Sequence, residues 1–466
     1  MLLTRKFVFK TNNADAIILG HLTYAASKLF NVANYERHEF KKLGLDKEPT
    51  WFDQKKNLKN NIWYKNLPSQ TAQDVLKNLD ESWKSYHVLK YKYNHGKKLS
   101  GEPKAPYYKK KDCHTNITYL NNGFKLIGNE IRFSIPKALK EYLKAKFLIE
   151  KDYFYVTIKK HIDGTIKEIS FSYINKFEYE VFVTYDTFEK QIKPDNGRHI
   201  SIDLGLNNLA TIYDNYGRSF IISGNSYLNT LYYYNKKNAY YQSINDAAHK
   251  KEIEEKKHIY LTKRIKKLIL KKNKIISYIL HASTKTIVNY CLAYNITRVI
   301  IGDIKGIDSH KTSQKGKNKR EFNQKLHSLP FDKLYNLLEY KLRKRGIKLI
   351  KQNEAFSSQC SPTSKEVSIE YANKDQRIYR GLFKDGNDIY NADSVGAFNI
   401  LRKYYQENKI EKKLLFYKCL SNPKKISISV TSNPKGKEVG VLGRDYPDIE
   451  ILINTLDLML GNSIAE

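Results

Sequence analysis

Two acidic residues far apart in the chain carry the first chemical signal. Asp203 lies near the end of an apolar run, Ile-Asp-Leu-Gly-Leu, and Asp393 opens a helical segment, in Asn391-Ala392-Asp393. A carboxylate on a buried strand is costly unless cations compensate its charge, whereas an acid at a helix start is often only a cap. Together the two acids favour a carboxylate cage for two hard cations. Such a cage supports phosphodiester hydrolysis, because one ion activates water and the other stabilises the leaving oxygen.

The hydrophobic pattern predicts the elements that must position these acids. Strands are predicted at RHISIDLG, at LATIYD and SFIIS around a hairpin turn at NYGR, at RVIIGDI and at IKLIKQ, with helices over 228–294, 330–345 and 392–405. This order of strands and helices is typical of an RNase H-like domain, which is an α/β layer fold. A lysine-, serine- and proline-rich stretch over 421–438 is typical of a mobile linker.

The first half of the chain has a different hydrophobic pattern. Residues 1–11 alternate as one strand, and apolar residues recur at helical spacing from Asp15 to Lys42 and again after Pro68, where Ser69 is a suitable N-cap. Short alternating runs between 115 and 185 predict an antiparallel barrel or sheet. The helices therefore look inserted into a β domain, and the fold class is a multidomain α+β and α/β protein.

Composition limits the partners. Lysine and arginine total 82 against 48 aspartates and glutamates, which gives a formal net charge of +34. An excess of this size favours nucleic acid as the partner because phosphates neutralise it and counterions are released. The 36 tyrosines add aromatic faces that can stack on unpaired bases. The alternative is that lysine and tyrosine only reflect an AT-rich genome.

Other classes of protein are excluded by simple counts. No run approaches the roughly 18 apolar residues of a membrane helix, and the N-terminal segment turns polar too early for a signal peptide. The four cysteines form no CxxC pair, which excludes a disulfide framework and a four-cysteine zinc site; they are Cys113, Cys291, Cys360 and Cys419. We therefore expect a soluble protein of a reducing compartment.

Six segments in order resemble the TnpB nucleases of insertion sequences, the ancestors of the type V CRISPR effectors. The resemblance covers about residues 1–405, and the segments that carry it are 67–86, 101–111, 201–214, 298–307, 323–360 and 380–403. It implies a RuvC-type nuclease that carries a transposon-encoded guide RNA and cuts complementary double-stranded DNA beside a short flanking motif, with Mg²⁺, two ions in all. It also implies a prokaryotic, cytoplasmic and nucleoid-associated protein with no membrane partner, and leaves monomer or homodimer open.

The same resemblance implies a domain plan. The wedge barrel is expected over 1–14 and 105–190, around a helical recognition insertion over 15–104. The RuvC nuclease domain is expected over 191–355 and 391–406. Between its parts, 356–390 corresponds to a degenerate target-nucleic-acid-binding insertion without zinc, and 407–466 is a C-terminal tail.

The middle catalytic acid departs from the family pattern. Relatives carry a glutamate on the fourth strand, but here the run Ile300-Ile301-Gly302-Asp303-Ile304 has glycine there. Asp303 is one substitute, although alternation should point it to the opposite face of the sheet. Glu354, directly after the neighbouring fifth strand, is the favoured one. The expected catalytic and Mg²⁺-binding set is therefore Asp203, Glu354 and Asp393.

The zinc ribbon of many relatives is also missing. Only Cys360 remains of two CxxC pairs, and a Phe383–Asn387 turn stands in place of the second pair. One thiolate cannot build a tetrahedral zinc site, so no zinc is expected and Cys360 is interpreted as a small buried hydrophobe.

Two polar segments are predicted to contact nucleic acid. The helix start at Ser69, Gln70, Thr71 and Gln73 could read the flanking motif through its free N–H groups and a glutamine bidentate to adenine; a capped surface helix is the alternative. The loop from Lys305 to Lys325 is interpreted as a lid that orders on a guide–target duplex, with plain surface disorder as the alternative. Its cations include Lys305, Lys311, Lys315, Lys319 and Arg320.

Two other functions stay open from the sequence. One is a nuclease-dead RNA-guided repressor, in which Glu354 is only an exposed loop residue. The other is a compact type V CRISPR effector of similar architecture, which a neighbouring repeat array would distinguish.

Overall fold

The protein is described by a computed structural model of the whole chain. The structure describes residues 1–97, 99, 101–158, 161–255, 259, 261–303, 331–379, 381–412, 414 and 417–429. The chain divides into two compact units, Met1–Phe188 and Glu189–Glu466.

Antiparallel strands form the β part of the first unit. In chain order they are β1 (Leu2–Lys10), β2 (Ile117–Leu120), β3 (Phe124–Ile127), β4 (Glu130–Ser134), β5 (Tyr153–Thr157), β6 (Thr165–Asn175) and β7 (Glu178–Asp186). They make one sheet of order β1-β7-β6-β2 and a second of order β3-β4-β5. Alternate residues of β7 are buried, as the alternating sequence predicts. The strands thus form two sheets, and their closure into a barrel stays a prediction.

Helices connect and flank these strands. They are α1 (Asn13–His38), α2 (Trp51–Asn57), α3 (Ile62–Lys65), α4 (Ser69–Asn94) and α5 (Lys137–Phe147), with a 3₁₀ turn over Leu58–Asn60. The first four lie between β1 and β2 in the chain. Helix α5 lies inside the stretch 115–185, for which the short alternating runs predicted an antiparallel barrel or sheet and no helix was expected. Ser69 was wrongly expected to be an N-cap: Pro68 holds the cap position, and no side chain caps this helix.

The second unit contains the sheet that carries the predicted nuclease acids. Its strands are β8 (His199–Leu204), β9 (Asn208–Asp214), β10 (Arg218–Ser223), β11 (Arg298–Asp303), β12 (Lys348–Asn353), β13 (Leu382–Asp385), β14 (Asp388–Asn391) and β15 (Lys424–Ile426). Its helices are α6 (Asn225–Ala248), α7 (Lys250–Glu254), α8 (Lys263–Ala293), α9 (Phe331–Arg343), α10 (Ala392–Glu407) and α11 (Tyr417–Ser421).

Six of these strands form one sheet of order β12-β11-β8-β9-β10-β15. Strand β11 is parallel to both β8 and β12, so the expected neighbourhood of the fourth and fifth strands is present. Strand β9 is antiparallel to both of its neighbours, β8 and β10. Strand β15 was not predicted: it pairs in parallel with β10 inside the stretch that was interpreted as a linker. Strands β13 and β14 form a separate hairpin.

Apolar side chains on β11 alternate between the two faces of this sheet. Val299 and Ile301 join a core with helices α6, α8 and α9, whereas Ile300 joins a second core with α10. The sheet is therefore buried on both faces, which explains why its central strands read as nearly continuous apolar runs. Any acid on these strands must face one helical layer or the other.

Candidate active site

Asp203 faces helix α10. It is the fifth residue of β8, and Ser201, two residues earlier on the same face, donates its hydroxyl to the Ala397 carbonyl at 2.6 Å. A Cβ added to Gly396 would lie 2.6 Å from Asp203 Oδ2. The glycine on α10 therefore leaves the space that the Asp203 carboxylate fills.

Glu354 follows the last residue of β12. Gly302 on β11 pairs with Gln352, so Glu354 lies two residues beyond that pair, on the same side of the pleat. A Cβ added to Gly302 would lie 2.5 Å from Glu354 Oε2 and 3.5 Å from Glu354 Cβ. The Glu354 side chain thus lies over Gly302, the strand position at which the family pattern has its glutamate.

Strand register brings Gly302 beside Asp203. Ile301 pairs with Ile202 in the parallel β8–β11 ladder, and Gly302 and Asp203 are the next residues along their strands. Because parallel strands end at the same edge of a sheet, the carboxylates of Asp203 and Glu354 converge on the α10 face at this edge.

Asp393 is the second residue of α10, and it does not cap the helix. Asn391 Oδ1 accepts the backbone N–H groups of Asp393 and Ser394. The carboxylate of Asp393 has other partners: its Oδ2 accepts from Asn208 Nδ2 at 2.6 Å, and its Oδ1 lies 3.5 Å from Arg377 Nη2. The simpler interpretation of Asp393 as a cap is therefore not what the structure shows.

The electrostatics of Asp203 reflect this convergence. Burial raises the pKa of Asp203 well above its usual range, the Asp393 and Glu354 carboxylates raise it further, and Arg377 lowers it. Burial also raises the pKa of Glu354, and the Asp303 carboxylate adds to that effect. Negative charge at this edge is thus under-compensated by the protein's own groups, which is typical of a functional site.

Asp303 lies on the other face of β11. It pairs with Asn353. Its side chain points to the same side of the strand as that of Ile301, which packs into the core with α8 and α9. There its carboxylate contributes, after burial and Glu339, to the raised pKa of Tyr335 on α9. The structure therefore brings Asp203, Glu354 and Asp393 together on one face and places Asp303 on the opposite face of its strand.

The oxygen atoms of the three acids are of the type that binds a hard cation, but the side chains are not arranged around a common point. Carboxylate oxygens are the donors that Mg²⁺ prefers, and Gly302 and Gly396 hold open the spaces that a Cβ would fill. Among the described residues, however, no group of three or more His, Cys, Asp or Glu side chains is arranged to hold a metal ion.

Cys360 lies in the segment between Glu354 and Asp393. It is buried, its Sγ donates to the Ser368 carbonyl at 3.4 Å, and burial raises the pKa of its thiol. The β13–β14 hairpin follows, with its turn at Gly386 in the left-handed region (φ +60°). The predicted Phe383–Asn387 turn is thus the end of a hairpin, and the absence of zinc stays a prediction.

The predicted flanking-motif residues on α4 are not equally accessible. Ser69 is exposed, and Gln70 and Gln73 are half-buried, with Gln73 Nε2 donating to Ser69 Oγ at 3.2 Å. Thr71 has to be corrected: it is buried, and its hydroxyl donates to the Thr118 carbonyl of β2 at 2.7 Å. Its hydroxyl secures the helix to the sheet, so Thr71 is not placed to touch DNA.

The predicted lid lies outside the described residues. This applies to its named cations, Lys305, Lys311, Lys315, Lys319 and Arg320.

Sequence reasoning missed the partners of the acids. Asn208 and Arg377 both contact Asp393, and Gly396 makes room for Asp203. Asn208 lies only five residues after Asp203, at the start of the next antiparallel strand. The signal for Asn208 in the sequence was a polar residue directly after the loop that joins the strand of Asp203 to the next strand. No local signal indicated Arg377.

Two family matches coincide with the site. The OrfB_IS605 family, described as a probable transposase, matches residues 178–308, which include β8 and β11. The TNB domain of Cas12f1-like proteins matches residues 331–400, which include Glu354 and Asp393. The chain is TnpB-like. The resemblance predicted from the sequence is thereby confirmed.

Solved structures resemble the TnpB-like chain loosely. A Cas12f1–sgRNA–target DNA complex matches at 14% identity and TM-score 0.47, covering 83% of this chain and 82% of that one. The mini-RNA-guided endonuclease CRISPR-Cas_phi3 matches at 12% identity and TM-score 0.37, with coverage of 86% and 92%. No curated protein sequence matches the chain. None of the described helices combines the length and apolar character needed to cross a bilayer.

Proposed function

We propose that the TnpB-like chain is an RNA-guided DNA endonuclease that hydrolyses phosphodiester bonds with Mg²⁺. One observation carries the proposal: Asp203, Glu354 and Asp393, remote in the sequence, converge on the α10 face at one edge of the sheet. A neighbouring residue positions each acid. Gly396 leaves room for the Asp203 carboxylate, Gly302 leaves room for the Glu354 side chain, and Asn208 donates a hydrogen bond to Asp393.

In this proposal the three carboxylates hold the metal. Bound Mg²⁺ supplies positive charge that stabilises the negative charge developing on a phosphodiester during hydrolysis. Asn208 fixes one oxygen of Asp393 and leaves the other directed toward Arg377. Arg377 offers the site a positive charge, and it lowers the pKa of Asp203.

The proposed partners are a guide RNA and a complementary double-stranded DNA beside a short flanking motif. The net charge of +34 supports a polyanionic partner, and the family matches support the RNA-guided class. Base pairing would then read the target sequence, while the protein reads the flanking motif. Ser69, Gln70 and Gln73 stay in the proposal as flanking-motif contacts. Such a protein would act at the nucleoid of a prokaryotic cell.

A nuclease-dead guided DNA-binding protein is the second candidate. It is favoured by the observation that no described group of three acids has the arrangement of a metal site. In this alternative the same fold binds the guide RNA and the target DNA without cutting. The raised pKa of Asp203 is then inherited from an ancestral nuclease site that no longer functions.

The deciding experiment uses the full chain with its copurifying RNA. That RNA is sequenced, and a matching double-stranded DNA is incubated with the complex and Mg²⁺. Endonuclease function predicts cleavage that falls at least roughly 100-fold in Asp203→Ala and Glu354→Gln, with DNA binding retained. Asp303→Asn is the matched control and should cleave normally. Binding without any cleavage by the wild type would favour the second candidate, and a loss in Asp303→Asn alone would overturn Glu354 as the middle acid.

A further inference from the structure

Helices α6 and α8 form a hairpin on one face of the six-stranded sheet. The two helices pack against each other. Leu231 and Tyr234 of α6 and Ile275 and Ile279 of α8 lie in the core beneath them. Lys272 Nζ donates to Asn235 Oδ1 at 3.2 Å, which joins the two helices. Beyond Ile275 toward its N-terminus, α8 buries only Ile265 and is otherwise largely exposed.

The charge on this hairpin is one-sided. Helix α8 carries eight lysines and arginines and no aspartate or glutamate over its 31 residues. Six of these cations lie on exposed positions of its first half, at 263, 264, 266, 267, 271 and 274. Helix α6 has one acid, Asp246, and this carboxylate accepts from Gln242 at 2.6 Å. Like charges crowded on one helix repel each other, so the surface is complementary to a polyanion.

Bulky side chains on α6 accompany these charges. Tyr233 is 52% exposed, Tyr240 is 62% exposed and Ile244 is 50% exposed, and their spacing places them along one side of the helix. Lys237 Nζ lies 4.5 Å from the centre of the Tyr233 ring, and the Arg264 guanidinium lies 4.1 Å from that of Tyr241. Aromatic rings beside cations are the groups that stack on unpaired bases and bind the adjoining phosphates.

We propose that this surface, the outward side of α6 and the first half of α8, binds unpaired nucleotides of the guide RNA. The inference rests on the proposed function. RNA is the chosen partner because its loops and single-stranded parts present unstacked bases to tyrosine, whereas the bases of an intact DNA duplex are stacked on each other. The lysines contact phosphates and the tyrosines contact bases.

Two sets of substitutions in the full chain test this proposal. The charge set is Lys266→Gln, Lys267→Gln and Lys271→Gln, and its matched control is Lys137→Gln, Lys144→Gln and Lys146→Gln on the exposed helix α5. The aromatic set is Tyr233→Leu with Tyr240→Leu, which keeps apolar volume and removes the rings. The probe is the copurifying RNA transcribed in vitro, and affinity is measured at several salt concentrations, with a single-stranded and a double-stranded DNA of equal length as the other arms.

The proposal predicts separate signatures for the two sets. The charge set should weaken RNA binding at least about 10-fold and reduce the slope of log affinity against log salt by about 2, since each phosphate contact to a single strand contributes about 0.7. The aromatic set should weaken RNA binding by roughly 5- to 100-fold and leave that slope unchanged. The α5 set should change affinity less than the charge set. Melting curves of every variant check that the chain is folded.

Several results would overturn the proposal. Unchanged RNA affinity in both sets would do so, as would an equal loss in the α5 set, which would show a general charge effect. A loss confined to the DNA arms would assign the surface to DNA. These failures are distinct from failure of the proposed function, in which the wild-type chain would retain no RNA or its RNA complex would not cleave DNA.

Discussion

The two ends of strand β8 carry polar groups whose charges and hydrogen bonds are compensated to opposite degrees. At the first residue, His199 Nε2 lies 2.8 Å from Asp195 Oδ1 and His199 Nδ1 lies 2.9 Å from the Tyr405 hydroxyl, which also accepts from Asn215. Four residues later Asp203 faces two further carboxylates, which add to the raised pKa that burial gives it. One end is a closed hydrogen-bond network, and the other keeps excess negative charge.

Helix α10 makes the comparison direct because it runs back along β8. Gly396 lies against Asp203, Ala397 accepts from Ser201, and Tyr405 reaches His199. The same strand–helix pair thus contains a satisfied end and an unsatisfied one. Buried polar groups that satisfy each other contribute to stability, whereas acids left facing each other cost stability and indicate a site for an external cation.

Among variants that keep all three acids, the largest effect at the acidic end is expected from filling the space over Gly302. In Gly302→Ala the new Cβ would meet Glu354 Oε2 at 2.5 Å, and the flexible glutamate would move aside. We expect cleavage to fall roughly 100-fold, with guide RNA binding unchanged and the melting temperature altered little. Single-turnover cleavage and thermal unfolding of the same preparation measure both.

The double variant Gly302→Glu with Glu354→Ala sharpens this result. It returns the glutamate to the strand position of the family pattern, on the face that Asp203 also uses. Cleavage above that of Glu354→Ala alone is expected. Equal activity of the double and single variants would count against a relocated middle acid.

Removing the support of Asp393 should have the next largest effect. Asn208→Ala deletes the 2.6 Å hydrogen bond to Asp393 Oδ2. Outer-shell partners of metal ligands typically contribute 10- to 100-fold in metal affinity, so the Mg²⁺ concentration for half-maximal cleavage should rise by about that factor. Titration calorimetry with Mg²⁺ gives a readout independent of activity. Asn208→Ser is the control. Unchanged Mg²⁺ affinity in Asn208→Ala would show that Asn208 does not support the metal-binding acids.

The satisfied end should respond in stability instead. Tyr405→Phe removes the hydroxyl shared by His199 and Asn215 and leaves these buried groups short of a partner. We expect a loss of about 1–3 kcal/mol in the free energy of unfolding, measured with urea, and a Mg²⁺ requirement like that of the wild type. A changed Mg²⁺ requirement would mean that the two ends are coupled through α10.

The smallest effect is a gain in stability at the acidic end. Because the pKa of Asp203 is raised above 3.8 in the folded chain, ionising it as the pH rises above about 4 disfavours the folded state. In EDTA at pH 8, Asp203→Asn should therefore be more stable than the wild type, as measured by urea unfolding. The difference should shrink toward pH 4. A wild type that is the more stable protein at pH 8 in EDTA would contradict the uncompensated charge.

The sequence was informative where a local pattern is enough. The buried strand at Asp203 and the helix at Asp393 follow from apolar runs and periodicity, and strand alternation alone separated Asp303 from the face that Glu354 uses. Strand β15 could not be predicted in this way. It has three residues, and it is a strand only because it pairs with residues of β10 about two hundred positions earlier.

Side-chain partners were also beyond reach. Thr71 looked like a polar surface residue at a helix start, but its hydroxyl is bound to a carbonyl of β2. The contact of Arg377 with Asp393 likewise depends on how the segment before the β13–β14 hairpin folds over the sheet. Such contacts are set by tertiary packing, which a single sequence does not record.

Strand β15 has a practical consequence for shortened versions of the chain. Cutting before Lys424 would strip the partner from Phe220, Ile221 and Ile222 and leave the backbone N–H and C=O groups of β10 open along that edge. A bare, apolar sheet margin is a template for another chain. A chain truncated there would thus be prone to aggregate, although every acid of the candidate site would still be present.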